Sequence, residues 1–235
     1  MIARFPIRYK GETVLPRTFS ESMRRIACAF IAVGLFCNSD TFAAEPIGTS
    51  VRPGSSIDLF KAWPAIAMAP RSELATLEFL IHPDSASINR PRSFIMTLSN
   101  TGGRDAAGLG VTINGSSIRA NVFGTLLDSD SKLQPDQWVH VALTVNTKTI
   151  NKQATLWING KRIAGELILE PWPASFEVAQ MLSDKWNQGR VFSGQIGDIR
   201  ISSLVRYEKP FDAPTALPAD QHCVLHFAGD QIPLQ

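Results

Sequence analysis

Between Trp138 and Val145 every second residue is aliphatic: Val139, Val141, Leu143 and Val145 alternate with Trp138, His140, Ala142 and Thr144. Successive side chains of a strand point to opposite faces, so this spacing predicts a β-strand with one apolar face lining a core. Shorter runs of the same kind end at turn residues. Residues 76–82 (TLEFLIH) stop at Pro83-Asp84, 93–99 (SFIMTLS) at Asn100-Thr101-Gly102-Gly103, and 109–113 at Asn114-Gly115. Asn-Gly takes positive φ readily at both central hairpin positions, so Asn114-Gly115 and Asn159-Gly160 predict two tight antiparallel hairpins. The second joins 154–158 to 161–164. Residues 192–202 and 223–227 complete the strands, with Gly194 and Gly197 marking a bulge or a close backbone approach. Only 176–185 reads as a short helical turn, and Pro171, Pro173, Pro210, Pro214 and Pro218 interrupt the remainder. The expected fold class is all-β, an antiparallel two-sheet jelly-roll sandwich.

The start of the chain follows a different pattern. Arg24 and Arg25 precede an apolar run over 26–36, followed by Asn38, Ser39, Asp40 and the small pair Ala43-Ala44. Basic, then apolar, then small is the order of a secretory signal, so 1–44 reads as a leader cleaved near Ala43 or Ala44, with Met23 an alternative start. The apolar run falls well short of the roughly 20 residues that span a bilayer, so no stable membrane span is expected after cleavage. The compartment expected is secreted, periplasmic or cell envelope. Residues 45–56, broken by Pro46, Gly48, Pro53 and Gly54, read as a linker, and 57–235 as the sandwich domain.

Charge narrows the partners. The leader carries six of the 23 Lys/Arg and three of the 21 Asp/Glu, which leaves 17 and 18 in the mature chain. A near-neutral chain without a Lys/Arg cluster lacks the electrostatic footprint of a nucleic-acid binder. Cys28 and Cys37 leave with the leader, so Cys223 has no intramolecular partner and stability must come from core burial.

Five segments occur in a telling order: TLEFLIHPD, WVHVALTVN, ATLWINGKRIAGE, FSGQIGDIRISSLVRYEKPF and HCVLHFAGD. Together, across Thr76 to Asp230, they resemble the laminin G-like jelly roll of the concanavalin A-like lectin/glucanase superfamily. In that family a Trp-x-His-Val-Ala strand precedes a hairpin ending in Asn-Gly, and a Gly-x-Ile-(Asp/Gly)-Asp-x-Arg-Ile strand follows later. The resemblance implies two curved sheets, one concave, on which relatives bind glycans, other proteins or sometimes calcium.

Glycoside hydrolases of the same superfamily place two carboxylates on one strand, close to Glu-x-Asp-x-x-Glu, where they serve as nucleophile and acid. No segment matches that pattern. The nearest strand carries Asp198 and Arg200, whose spacing predicts an ion pair, so the expectation is a protein that is not an enzyme, with catalytic residues none. His222, Cys223 and His226 offer zinc-type ligands, but in a strand Cys223 points away from the two histidines, which favours plain packing. His140 lacks a Ser or Cys nucleophile pattern beside it and reads as a sheet histidine.

Indole faces stack on the C–H faces of sugars, which makes tryptophans the positive hint of a ligand. Trp138 and Trp157 fall within predicted strands and read as packing. Trp172, between two prolines, and Trp186, followed by Asn187, Gln188 and Arg190, fall in predicted loops, where exposed aromatics more often bind. The ligand-binding candidates are therefore Trp172, Trp186, Asn187 and Arg190. Asp128 and Asp130 could hold a structural calcium of the kind the resemblance implies, or form an ordinary solvated turn; no other cofactor is expected. The resulting expectation is an exported, non-catalytic recognition domain whose partner is a glycan, held on the concave sheet or by rim loops. The alternatives are a protein-interaction module of the cell envelope, binding an extracytoplasmic protein, and a glycoside hydrolase.

Overall fold

A computed structural model describes residues 45–53, 55–64, 66, 75–99, 108–147, 152–168, 175–182 and 190–235. The predicted secretory leader lies outside these residues. Thirteen strands are described, with two short helices.

One sheet has seven strands. The strand predicted from the aliphatic alternation is β8 (Val139–Asn146), at its centre between β3 (Thr76–Pro83) and β9 (Gln153–Ile158). Beyond β9 lies β10 (Lys161–Leu167), and on the other side β3 pairs with β12 (Gly194–Ser202). The far edge of β12 is shared by β1 (Thr49–Val51) and β13 (Cys223–Phe227). The second sheet runs β2 (Ile57–Asp58), β11 (Val178–Met181), β4 (Ser93–Ser99), β5 (Gly108–Asn114), β6 (Ser117–Val122) and β7 (Thr125–Asp128). Every strand pairing is antiparallel.

The core lies between the sheets. Leu77, Phe79 and Ile81 of β3, Val141 and Leu143 of β8 and Leu156 of β9 meet Met96, Leu98, Val111, Ile113, Ile118 and Val122 of the second sheet in one buried cluster. The inner face of β8 is the predicted aliphatic one. Its outer face is buried too, with His140 only 2% exposed, because the chain after β12 returns over it with Tyr207 and Phe211 stacked face to face. Covering an outer face lets a strand carry polar residues without exposing them, which the alternation alone does not reveal.

Several local expectations are refined. Asn159 and Gly160 have φ of 47° and 73°, as a two-residue hairpin of the predicted kind requires. In the other hairpin Asn114 pairs with Ser117, so the turn is Gly115-Ser116, with positive φ only at Gly115. The register of β12 slips between Ile196 and Ile199, and a Cβ on Gly194 would stand 2.2 Å from the His82 carbonyl, which accounts for both glycines. Residues 178–181 form a strand instead of the expected helical turn: Ala179 and Met181 face the core while Gln180 faces out, and pairing with β4 and β2 decides their state. The helices are α1 (Leu59–Ala62) and α2 (Ser85–Asn89), N-capped by Asp58 and Asp84. Residues 45–56, read as a linker, contribute β1.

Candidate functional site

The outer face of the six-stranded sheet is polar with a bare centre. Register aligns Asp58, Gln180, Thr97, Gly110, Asn121 and Leu126 in one row across all six strands. Their neighbours along each strand, from Ile57 and Met181 to Ala120 and Leu127, lie in the core, so this row faces outward. Gly108 stands two residues before Gly110 on the same face, opposite Ser99. The central strand β5 therefore presents backbone where its neighbours present side chains, and the part-exposed stretch at Gly110 forms a trough with Thr97 on one side and Asn121 on the other, while the Gly108–Ser99 end is buried. A Cβ on Gly110 would meet only the Met96 carbonyl, at 3.2 Å. The Asn121 amide is oriented by accepting from the Gly124 N–H at 3.1 Å. Thr97 Oγ1 and Gln180 Oε1, on directly paired residues, are shielded and have no hydrogen-bond partner among the described residues. Buried polar groups are nearly always partnered, so two adjacent exceptions mark this stretch of the face.

A second row, Phe94, Thr112, Arg119 and Asp128, runs alongside. At its Phe94 end the Arg190 carbonyl accepts from the Phe94 N–H at 3.1 Å, and the Arg90 guanidinium donates to the Val191 carbonyl at 2.7 Å. Candidate Arg190 thus borders this face. Asp128 closes the other end, where both its oxygens accept from Arg119, at 2.5 and 2.9 Å. Asp130 is exposed two residues further on. Trp172, Trp186 and Asn187 lie outside the described residues. Among the described residues, no group of three or more His, Cys, Asp or Glu side chains gathers in a metal-holding arrangement, and no helix is long and apolar enough to cross a membrane.

The strongest electrostatics sit on the other sheet. Glu78, fully buried on the outer face of β3, accepts from Arg200 Nε and Nη2 at 2.8 and 2.9 Å and from the Tyr207 hydroxyl at 2.6 Å. His140 Nε2 and Arg206 Nε each approach it to 3.5 Å. Burial alone would raise its pKa, yet the close approach of His140, the hydrogen bonds from Arg200 and Tyr207 and the Arg200 charge together lower it to about 2. Burial and the neighbouring Glu78 carboxylate hold the Tyr207 phenol well above its ordinary value. The ion pair expected between Asp198 and Arg200 does not form. Arg200 sits directly opposite Glu78 in the β12–β3 register, while Asp198, within the bulge, accepts from the Leu217 and Gly229 N–H groups at 2.6 and 2.8 Å. The sequence held Glu78 in plain view, but a pairing partner 122 residues away carries no local signal.

Trp157 is 1% exposed, its indole N–H donating to Thr144, and Trp138 packs edge-on against His82. Trp157 is a packing residue within β9, as predicted, whereas Trp138 stands just ahead of β8, outside the strand predicted to include it, and is half-buried. The Cys223 thiol lies against the Leu225 carbonyl, and β13 carries His226 opposite Arg200.

A family model for the concanavalin A-like lectin/glucanases superfamily matches residues 62–209, more than half of the chain. The chain belongs to that superfamily. Among solved structures, a candidate carbohydrate binding protein from Bacteroides ovatus superposes with a TM-score of 0.57 at 17% identity, over 79% of this chain and 52% of that one. This chain therefore spans about half the length of that relative. The leech intramolecular trans-sialidase aligns with a TM-score of 0.52 at 21% identity, over 68% of this chain and 26% of its own. The CBM40 domain of the Ruminococcus gnavus sialidase, bound to α2,3-sialyllactose, aligns at 22% identity over 64% of this chain and 86% of its own, with a TM-score of 0.48. No curated protein sequence gives a match. The concanavalin A-like assignment agrees with the five-segment resemblance and with the two-sheet sandwich.

Proposed function

We propose that this concanavalin A-like chain is an exported, non-catalytic recognition domain that binds a glycan in the trough of its six-stranded sheet. The carrying observation is the part-exposed glycine floor at Gly110 beside Thr97, Gln180 and Asn121. A flat sugar ring can approach the backbone there while hydroxyl and carboxamide groups meet its hydroxyls. The Bacteroides ovatus relative of the same fold, described as a candidate carbohydrate binder, is in keeping with this reading. The perturbed carboxylate, Glu78, is buried beneath Tyr207 and engaged by Arg200, which supports a structural role for it in place of a catalytic one. The leader pattern of residues 1–44 supports export.

Thermal melting of the purified protein against a panel of polysaccharides and oligosaccharides, with calcium and with chelator, tests the proposal. At least one glycan should raise Tm. Gly110→Val fills the trough and should reduce that gain; its Cβ stands 3.2 Å from the Met96 carbonyl, so the gain is read against the variant's own ligand-free Tm. Trp172→Ala and Trp186→Ala should shrink the gain if those loops share the ligand. A panel without any response, or a Gly110→Val protein that responds like the parent, overturns the proposal.

A further inference from the structure

The opposite side of the sandwich carries a cleft that the trough does not use. It lies on the outer face of the seven-stranded sheet, at the end of β8, β9 and β10, and encloses about 340 Å³. That is the small end of the roughly 300–1,000 Å³ usual for small-molecule sites. Two rows of the sheet form its floor: Thr144 with Thr155, and Asn146 with Gln153. Tyr207 and Val205 wall one side, and Trp157, Arg162 and Glu208 complete the lining.

The chemistry of this lining is selective. Tyr207 is a fixed wall, because its ring stacks on Phe211 with centroids 3.6 Å apart and its hydroxyl is committed to Glu78. Gly165 lies opposite Thr155 and lets Arg162 fold over the sheet: a Cβ there would stand 2.3 Å from Arg162 Nη2. One cation and one anion leave no net preference for a charged ligand. The Thr144 hydroxyl is committed, accepting from the Trp157 indole N–H at 3.2 Å and donating to the Thr155 carbonyl at 3.4 Å. Recognition therefore falls to the Asn146 and Gln153 carboxamides, which donate and accept, and to the aromatic and aliphatic wall, which suits C–H faces.

We propose that this cleft is a second saccharide site, taking a neutral mono- or disaccharide unit, so that one chain holds glycan on both faces of the sandwich. It goes beyond the trough reading and stands on different residues.

Calorimetric titration of the full chain with neutral cello-, xylo-, chito- and galacto-oligosaccharides tests it, with circular dichroism confirming that each variant folds. The expected result is binding that survives Gly110→Val and weakens about tenfold in Gln153→Ala and in Arg162→Ala, the usual consequence of losing one hydrogen-bonding partner. Gly165→Val should weaken it similarly by displacing Arg162, although it deletes no lining side chain. If Gly110→Val removes all binding, or the cleft variants bind like the parent, the cleft is not a saccharide site and the trough reading stands. If Gly110→Val changes nothing and the cleft variants abolish binding, the cleft stands and the trough reading falls. Absence of binding to every oligosaccharide overturns both.

Discussion

Glu78 is the residue on which acid stability turns. In the folded chain its pKa is lowered from 4.5 to about 2, because its contacts with His140, Arg200 and Tyr207 outweigh the cost of burial. A carboxylate whose folded pKa lies below its unfolded one contributes stability that is fully present above the unfolded value and is lost as pH falls through the folded one. Urea midpoints followed by tryptophan fluorescence should therefore drop between pH 4.5 and pH 2, by more than in a Glu78→Gln protein. At neutral pH the same substitution leaves the Arg200 and Arg206 guanidinium groups without their shared buried counter-charge. It should cost about 3–5 kcal/mol, the usual penalty for removing one partner of a buried pair. An unchanged pH profile in Glu78→Gln would show that the acid sensitivity arises elsewhere.

At the scale of single elements the two hairpins form a controlled comparison. Both have a glycine at positive φ, yet a Cβ on Gly115 meets nothing within 4 Å, whereas one on Gly160 falls 1.8 Å from the Phe211 carbonyl. Gly115→Ala should cost about 1–2 kcal/mol, the conformational penalty of a left-handed residue. Gly160→Ala should cost more by about 1–3 kcal/mol, since it must also displace the segment that covers β8 and β9. Equal losses in chemical unfolding would mean that this segment packs too loosely to resist. The contrast also explains what the sequence could convey. Hairpins, the alternating strand β8 and the glycines of β12 were legible because their signals are local. Strands β1 and β11 were not, because Val51 and Gln180 become strand residues only through distant partners, Gly194 and Thr97. Part of the trough was legible in principle: Gly108 and Gly110 alternate with Leu109 and Val111, which announces a strand with one apolar and one bare face. Thr97 and Gln180, whose unpartnered atoms border it, become neighbours only on folding. Loop tryptophans drew attention first because aromatics advertise a sugar site more loudly than a missing side chain does.

For the whole molecule, the segment ahead of the predicted domain ties the two ends of the described chain together. Strand β1 pairs with β12 along Thr49, Ser50 and Val51, the Thr49 hydroxyl donates to the Gly229 carbonyl, and Ser56 and Gln235 exchange backbone hydrogen bonds at 3.2 and 2.9 Å. Gly48 lies so close to the Trp138 ring that a Cβ there would stand 2.4 Å from it, and Val51 is buried in the core cluster. A tether would make none of these contacts. A chain beginning at Pro53 should consequently be less stable than one beginning at Glu45 by about 3 kcal/mol, from one buried valine and a few backbone hydrogen bonds. Its urea m-value should also fall slightly, since less surface is exposed on unfolding. The shortened chain opens the upper edge of β12, where unpaired N–H and C=O groups invite a second molecule to add a strand. Concentration-dependent association in light scattering should accompany the lost stability. If both proteins unfold at the same midpoint and remain monomeric, β1 contributes no net stability and residues 45–52 act as a tether after all.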